Sequence, residues 1–175
     1  MELFILRHGE AGKRSASGSK DFARPLTVTG QKEVADLAAS LKDLGIKFDL
    51  IISSPLKRAH QTAAIVAKKL QNEKKIEDWD ELKPEGKLMD LYHKISSSPK
   101  FKQQSSVLVV GHEPYLSKMI SEIISDVNGD HGGSTRIALK KAGLARIKIT
   151  SNSNSKMQGE LKWLLTPRHM KNMLK

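Results

Sequence analysis

Hydrophobic and polar positions along the chain fall into two periods. Leu3-Phe4-Ile5-Leu6 is an unbroken apolar run that stops at Arg7-His8-Gly9, as expected of a buried strand that leaves its sheet at a glycine. Phe48-Asp49-Leu50-Ile51-Ile52 predicts a second buried strand, residues 76–79 a short strand or extended link, and Val107-Leu108-Val109-Val110 a central strand covered on both faces. Between them the spacing is helical. Val34, Leu37, Ala38, Leu41 and Leu44 share one stripe, with Thr27 or Thr29 as the cap and Gly45 as the stop. Ala59, Ala63, Val66 and Leu70 form a second stripe, in a helix for which Ser54 is read as N-cap and Pro55 as first residue. Leu88, Leu91, Tyr92 and Ile95 mark a third helix, and Leu116, Met119, Ile120 and Ile123 a fourth.

Towards the C-terminus the period changes to two. Ala145, Ile147 and Ile149 alternate with Arg146 and Lys148, and Leu161, Trp163 and Leu165 alternate likewise beyond a Ser/Asn-rich turn, which predicts two antiparallel edge strands. Residues 167–175 form a short basic tail. Strands alternating with helices predict an α/β fold, a three-layer α/β/α sandwich with a mostly parallel sheet plus an antiparallel edge. The length of 175 residues suits one domain over the whole chain. Residues 11–24, rich in Gly, Ser and Lys, have little to bury and predict a mobile loop beside the first strand's end.

Charge narrows the class of partner. Thirty Lys plus Arg against nineteen Asp plus Glu give +11, so acidic or phosphorylated partners are expected. The chain has no cysteine, which excludes disulfides, thiolate catalysis and cysteine-held metals. No apolar run reaches the length of a signal-peptide core or a membrane span, and the expectation is a soluble, cytoplasmic monomer.

The candidate chemistry lies where the predicted parallel strands end. Arg7 and His8, Arg58, and His112 each follow a different strand, and right-handed crossovers bring such ends to one sheet edge. Two guanidiniums and two imidazoles around one point suit a tetrahedral dianion. Histidine can act on phosphorus without a metal if one ring nitrogen is free and the other donates to a carbonyl. His8 is read as the nucleophile, with its approach left open by Gly9, and His112 as a donor to the phosphoryl oxygens. Neither a metal nor a cofactor is expected. Gly9-Glu10-Ala11-Gly12-Lys13-Arg14-Ser15 is two residues short of a nucleotide P-loop. A metal site from His8, His112, Glu10 and Glu113 lacks paired ligand spacing.

Leu6-Arg7-His8-Gly9-Glu10 resembles the signature of the histidine phosphatase superfamily, whose fold is phosphoglycerate mutase-like. Residues 24–30 (Arg-Pro-Leu-Thr-Val-Thr-Gly), 53–62 (Ser-Ser-Pro-Leu-Lys-Arg-Ala-His-Gln-Thr) and 110–114 (Val-Gly-His-Glu-Pro) are similar to its other shared segments, in the same order. The short length, Arg24-Pro25-Leu26-Thr27 and Pro114 resemble the SixA phosphohistidine phosphatase branch. The resemblance implies that His8 becomes a phosphohistidine and that Arg7, Arg58 and His112 bind the phosphoryl group. It offers Glu81 as a candidate acid and Arg24 as an auxiliary phosphate-binding or loop-anchoring residue. It also implies a phosphorylated protein as substrate, such as a histidine-phosphotransfer domain.

Three other readings remain at this stage. The first is a phosphatase of small phosphomonoesters, and the second a phosphate-recognition module without turnover. The third is nucleic-acid binding through charge alone, which at 5% aromatic residues would be sequence-blind and salt-sensitive.

Overall fold

The computed structural model describes residues 1–13, 21–102, 104–125, 137–153 and 156–172. Six strands form one sheet in the order β3-β2-β4-β1-β5-β6. They are β1 (Glu2–Arg7), β2 (Leu50–Ser53), β3 (Ile76–Asp78), β4 (Ser106–Gly111), β5 (Leu144–Asn152) and β6 (Met157–Leu165). The first four run parallel, with Phe4 opposite Leu108 and Ile51 opposite Leu108, and β5 and β6 run antiparallel beside β1.

The helices are α1 (Val28–Asp43), α2 (Lys57–Leu70), α3 (Leu88–Ser97), α4 (Tyr115–Ile124) and α5 (Pro167–Asn172). Alternate residues of each buried strand feed opposite faces. Leu3, Ile5, Ile52, Val107 and Val109 pack under α3 and α4. Phe4, Leu6, Ile51, Leu108 and Val110 pack under α1, α2 and Met170 of α5. The result is the expected three-layer sandwich. Leu3 to Leu6 and Val107 to Val110 are all essentially shielded from water, which is why these runs show no polar alternation.

Several local expectations need correction. Only β6 is an edge on the antiparallel side, because β5 pairs with β1 as well as with β6. The strict alternation read into Leu161, Trp163 and Leu165 fails at a bulge. Arg146 pairs with Trp163 and Ile147 with Leu161, so Lys162 is an extra residue and the side chains on either side change faces. Leu161 joins the α3/α4 core, whereas Trp163 and Leu165 join the other. Leu44 lies past the end of α1 and is 44% exposed. Thr27, not Thr29, caps that helix, its Oγ1 accepting from Gly30 N at 3.0 Å. Gly45 adopts φ +67° just beyond, a conformation glycine takes without strain.

The largest local departure concerns Ser54. Helix α2 starts at Lys57, after an extended Leu56 and with no side-chain cap. The Ser54 hydroxyl instead pairs with His112 Nε2 at 2.8 Å. Arg58 is therefore the second residue of α2, at the end of β2.

Candidate active site

The carboxyl ends of β1, β2 and β4 meet at one sheet edge, and a cavity of about 230 Å³ opens there. Arg7, His8, Arg58 and His112 all line it, together with Arg24, Asp21, Glu113 and Lys141. The four residues placed together by topology are thus together in space, and the imidazole rings of His8 and His112 lie 5.1 Å apart. Four basic side chains face two carboxylates around this cavity.

Each group is held by backbone chemistry. His8 is 8% exposed, and its main chain is fixed by His8 N donating to Gly111 O and Ala142 N donating to His8 O. Its Nδ1 donates to Gly9 O at 2.7 Å, which assigns the proton to Nδ1 and leaves Nε2 with a lone pair. Arg7 Nη1 donates to Leu139 O at 2.8 Å, while the buried Arg7 Nε has no partner among the described residues. His112 is 2% exposed and its Nδ1 is likewise unpartnered. Buried donors and lone pairs without partners are costly unless a ligand completes them.

Gly9 has a different role from the one expected. A Cβ there would stand 2.8 Å from Val34 Cγ2 and 3.0 Å from Gly30 O, so the missing side chain makes room for α1, not for an approaching ligand. Gly9 N is in turn held by Thr62 Oγ1 at 3.2 Å.

Asp21 and Arg24 organise the other wall. Arg58, 3% exposed, donates from Nη1 to Asp21 O at 2.8 Å and from Nη2 to Asp21 Oδ2 at 3.1 Å. Arg24 Nε lies 3.0 Å from Asp21 Oδ1, and Arg24 Nη1 donates to Gly12 O at 2.9 Å. Arg24 therefore both lines the cavity and anchors the segment after β1. Ala11 bridges to Leu26, and Gln61 Oε1 accepts from Leu26 N. Both ends of the predicted loop 11–24 are tied to the body, and residues 14–20 lie outside the described part. So does His131. Of the other histidines, His60 pairs with Asp78 at 2.9 Å, and His93 and His169 are exposed.

Glu81 is not brought to the cavity. Both its oxygens accept from Lys94 Nζ, at 3.0 and 2.8 Å, and Lys94 rests over the Trp79 ring. The loop after β3 points this carboxylate at α3, so the sequence expectation for it is corrected. Glu81→Gln should leave kcat/KM within about twofold and cost under ~1 kcal/mol of stability, since the ion pair is partly exposed. Steady-state kinetics with a thermal melt checks both.

Residues the sequence reading missed include Asp21 and Ser54 in its role beside His112, and Glu113 was weighed there only as a metal ligand. The Asp21/Arg24 spacing of three was the only available sign of the first. Glu113 lines the cavity, and burial holds its carboxyl above the usual carboxylate range against the opposing pull of Ser117 and Arg7.

The two imidazoles are pushed the other way. Burial, aided by Arg58, Arg7 and Arg24 and opposed by the Gly9 carbonyl, lowers His8 from 6.5 to about 4. Burial, then His8 and the three arginines, lowers His112 to about 3. Both rings are neutral at pH 7, as a nucleophile requires. Between pH 6.5 and about 4 the unfolded chain binds a proton that folded His8 refuses. Stability therefore falls as pH falls through that window, by roughly 3 kcal/mol for this ring alone. Imidazole NMR should show no His8 titration above pH 5; a midpoint near 6.5 would contradict the burial.

Residues 3–91 match the description of the histidine phosphatase superfamily (branch 1), and this match contains Arg7, His8, Arg24 and Arg58. The chain belongs to that superfamily. Its likeness to the SixA branch extends over the full length. The phosphohistidine phosphatase SixA of Escherichia coli is 28% identical, with 98% of this chain and 97% of that protein covered. A solved structure of the protein histidine phosphatase SixA complexed with tungstate superposes with a TM-score of 0.80 at 27% identity, covering 98% of this chain and all of that one. An uncharacterised protein of Picosynechococcus sp. is 33% identical over 94% of this chain and 99% of its own length. The mixed six-stranded sheet is the phosphoglycerate mutase-like fold of this superfamily.

Proposed function

We propose that the protein is a phosphohistidine phosphatase that removes phosphate from histidine on a protein, through transient phosphorylation of its own His8. The observation that carries this reading is the fixed tautomer of His8. Its Nδ1 is committed to Gly9 O, so Nε2 is a neutral nucleophile inside a cavity lined by Arg7, Arg58 and His112. The likeness to SixA, named a phosphohistidine phosphatase in Escherichia coli, supports the same activity here.

His8 Nε2 attacks phosphorus, the bond from phosphorus to the substrate nitrogen breaks, and the electron pair leaves with that nitrogen. Water then attacks the phosphorus on His8, and inorganic phosphate departs. The three equatorial oxygens carry the charge in both steps. Arg7 and Arg58 supply fixed positive charge, and Arg7 Nε and His112 Nδ1 are buried groups without a partner among the described residues. Donors preorganised in this way each contribute ~10²- to 10³-fold. Nucleophile and charge both come from side chains, so the chemistry makes no demand for a metal.

At about 230 Å³ and lined largely by charged and polar side chains, the cavity suits a phosphorylated side chain carried on a protein. The +11 charge favours an acidic carrier. Among the described residues no helix is long and apolar enough to cross a membrane. Dephosphorylation of a histidine-phosphorylated protein and of a panel of small phosphomonoesters, with EDTA present, tests the proposal. A kcat/KM at least ~100-fold higher on the phosphoprotein is expected, equivalent to about 2.7 kcal/mol of transition-state binding. A preference for a sugar or nucleotide phosphate would overturn the substrate assignment, and binding without hydrolysis would overturn the enzyme.

A further inference from the structure

The phosphoryl cavity has two carboxylates in its lining, Asp21 and Glu113. Their surroundings differ. Asp21 faces the guanidiniums of Arg58 and Arg24 with its two oxygens. Among the described residues Glu113 has no guanidinium or ammonium in ion-pair contact. It stands beside His112 at the end of β4, partly buried, and Ser117 Oγ donates to its Oε1 at 2.7 Å from the first turn of α4. That bond fixes the side chain at the rim of the cavity.

From the juxtaposition of these two carboxylates we infer that Glu113 is the proton-transfer residue of the site. It hands a proton to the leaving atom and takes one from water in the second step. This rests on the phosphohistidine reading above. Burial supports it by keeping the carboxyl harder to ionise than an ordinary glutamate. Glu81, the other candidate, is tied to Lys94.

The steps balance. As His8 Nε2 forms its bond to phosphorus, the bond to the leaving nitrogen or oxygen breaks with its electron pair, and the Glu113 proton moves onto that atom. Glu113 is then a carboxylate. In the second half it accepts a proton from the water that attacks phosphorus, the bond from phosphorus to Nε2 breaks, and the pair returns to the His8 ring. Glu113 ends protonated, with one water consumed and one phosphate released.

The dependence on the leaving group tests this on the full chain. Phenyl phosphate needs a proton on its leaving oxygen, whereas 4-nitrophenyl phosphate needs it far less. Glu113→Gln keeps the shape and the Ser117 contact but cannot transfer a proton. The burst of phosphoenzyme formation, read by rapid quench, should fall ~10²- to 10³-fold on phenyl phosphate and by less than ~10-fold on the nitrophenyl ester. Glu113→Asp should restore part of the phenyl phosphate rate. Equal losses on both esters, or no loss on either, would overturn the assignment. Should Glu113→Gln not fold, the wild-type chain decides: a weak dependence of burst rate on the leaving group across aryl phosphates supports the inference, and a steep one overturns it. These outcomes leave labelling of His8 untouched, so they separate failure of this assignment from failure of the phosphohistidine mechanism.

Discussion

His8→Ala loses essentially all turnover, a fall in kcat of more than ~10⁴-fold, and incorporates no phosphate from substrate. The expectation follows from Nε2 being the one nucleophilic position that the Gly9 carbonyl leaves unprotonated in the cavity. The fold should survive, because what the surrounding strands use is the His8 backbone, bonded to Gly111 O and Ala142 N. Its stability should even rise relative to wild type below about pH 6. The folded wild-type chain must refuse a proton on His8 there, and alanine has none to refuse. Activity and acid stability thus move in opposite directions in one variant. A merely misfolded protein would lose both.

Arg58→Ala is the second large effect. Arg58 lines the cavity and is nearly sealed from water, so its charge acts in a medium that screens little. Removing it should lower kcat/KM by ~10³-fold, about 4 kcal/mol. It should also cost several kcal/mol of stability, on the order of ~3, because Asp21 loses two donors and, among the described residues, is left with its contact to Arg24. Arg58→Lys restores a charge but not the fork that meets the carbonyl and carboxylate of Asp21 together. Its kcat/KM should lie between the two, still at least ~10-fold below wild type. Kinetics and denaturant titration on the same preparations separate the catalytic loss from the structural one.

How far the sequence could be read depended on what kind of interaction decides each feature. Arg7, His8, Arg58 and His112 were legible because topology alone brings them together. Any chain with three parallel strands ending in these residues delivers them to one edge, and the exact side-chain packing is not needed. The two core faces were legible for a similar reason, since burial on both sides of β1 and β4 leaves apolar runs with no polar interruption.

What escaped was decided by contacts between distant residues. Ser54 looks like a helix cap in isolation, and only the presence of His112 beside it, 58 positions on, draws its hydroxyl into the site. Glu81 looked free until Lys94 claimed both its oxygens. Gly9 was read as room for a ligand, when the space is taken by Val34 and Gly30 across the layer. The extra residue Lys162 breaks an alternation that one strand alone cannot reveal to be broken. Asp21 sits three residues before Arg24, which hints at a local ion pair. Nothing local announces that Arg58 completes it.

The phosphoenzyme itself is the most direct test. Full-length wild-type chain mixed with a histidine-phosphorylated protein, quenched within a turnover in alkali and digested, should yield one phosphorylated peptide containing residue 8. The label should be stable to base and lost in acid, as expected of a P–N bond. Label on a serine, aspartate or other histidine, or rapid turnover with no labelled enzyme at any time, would contradict the account.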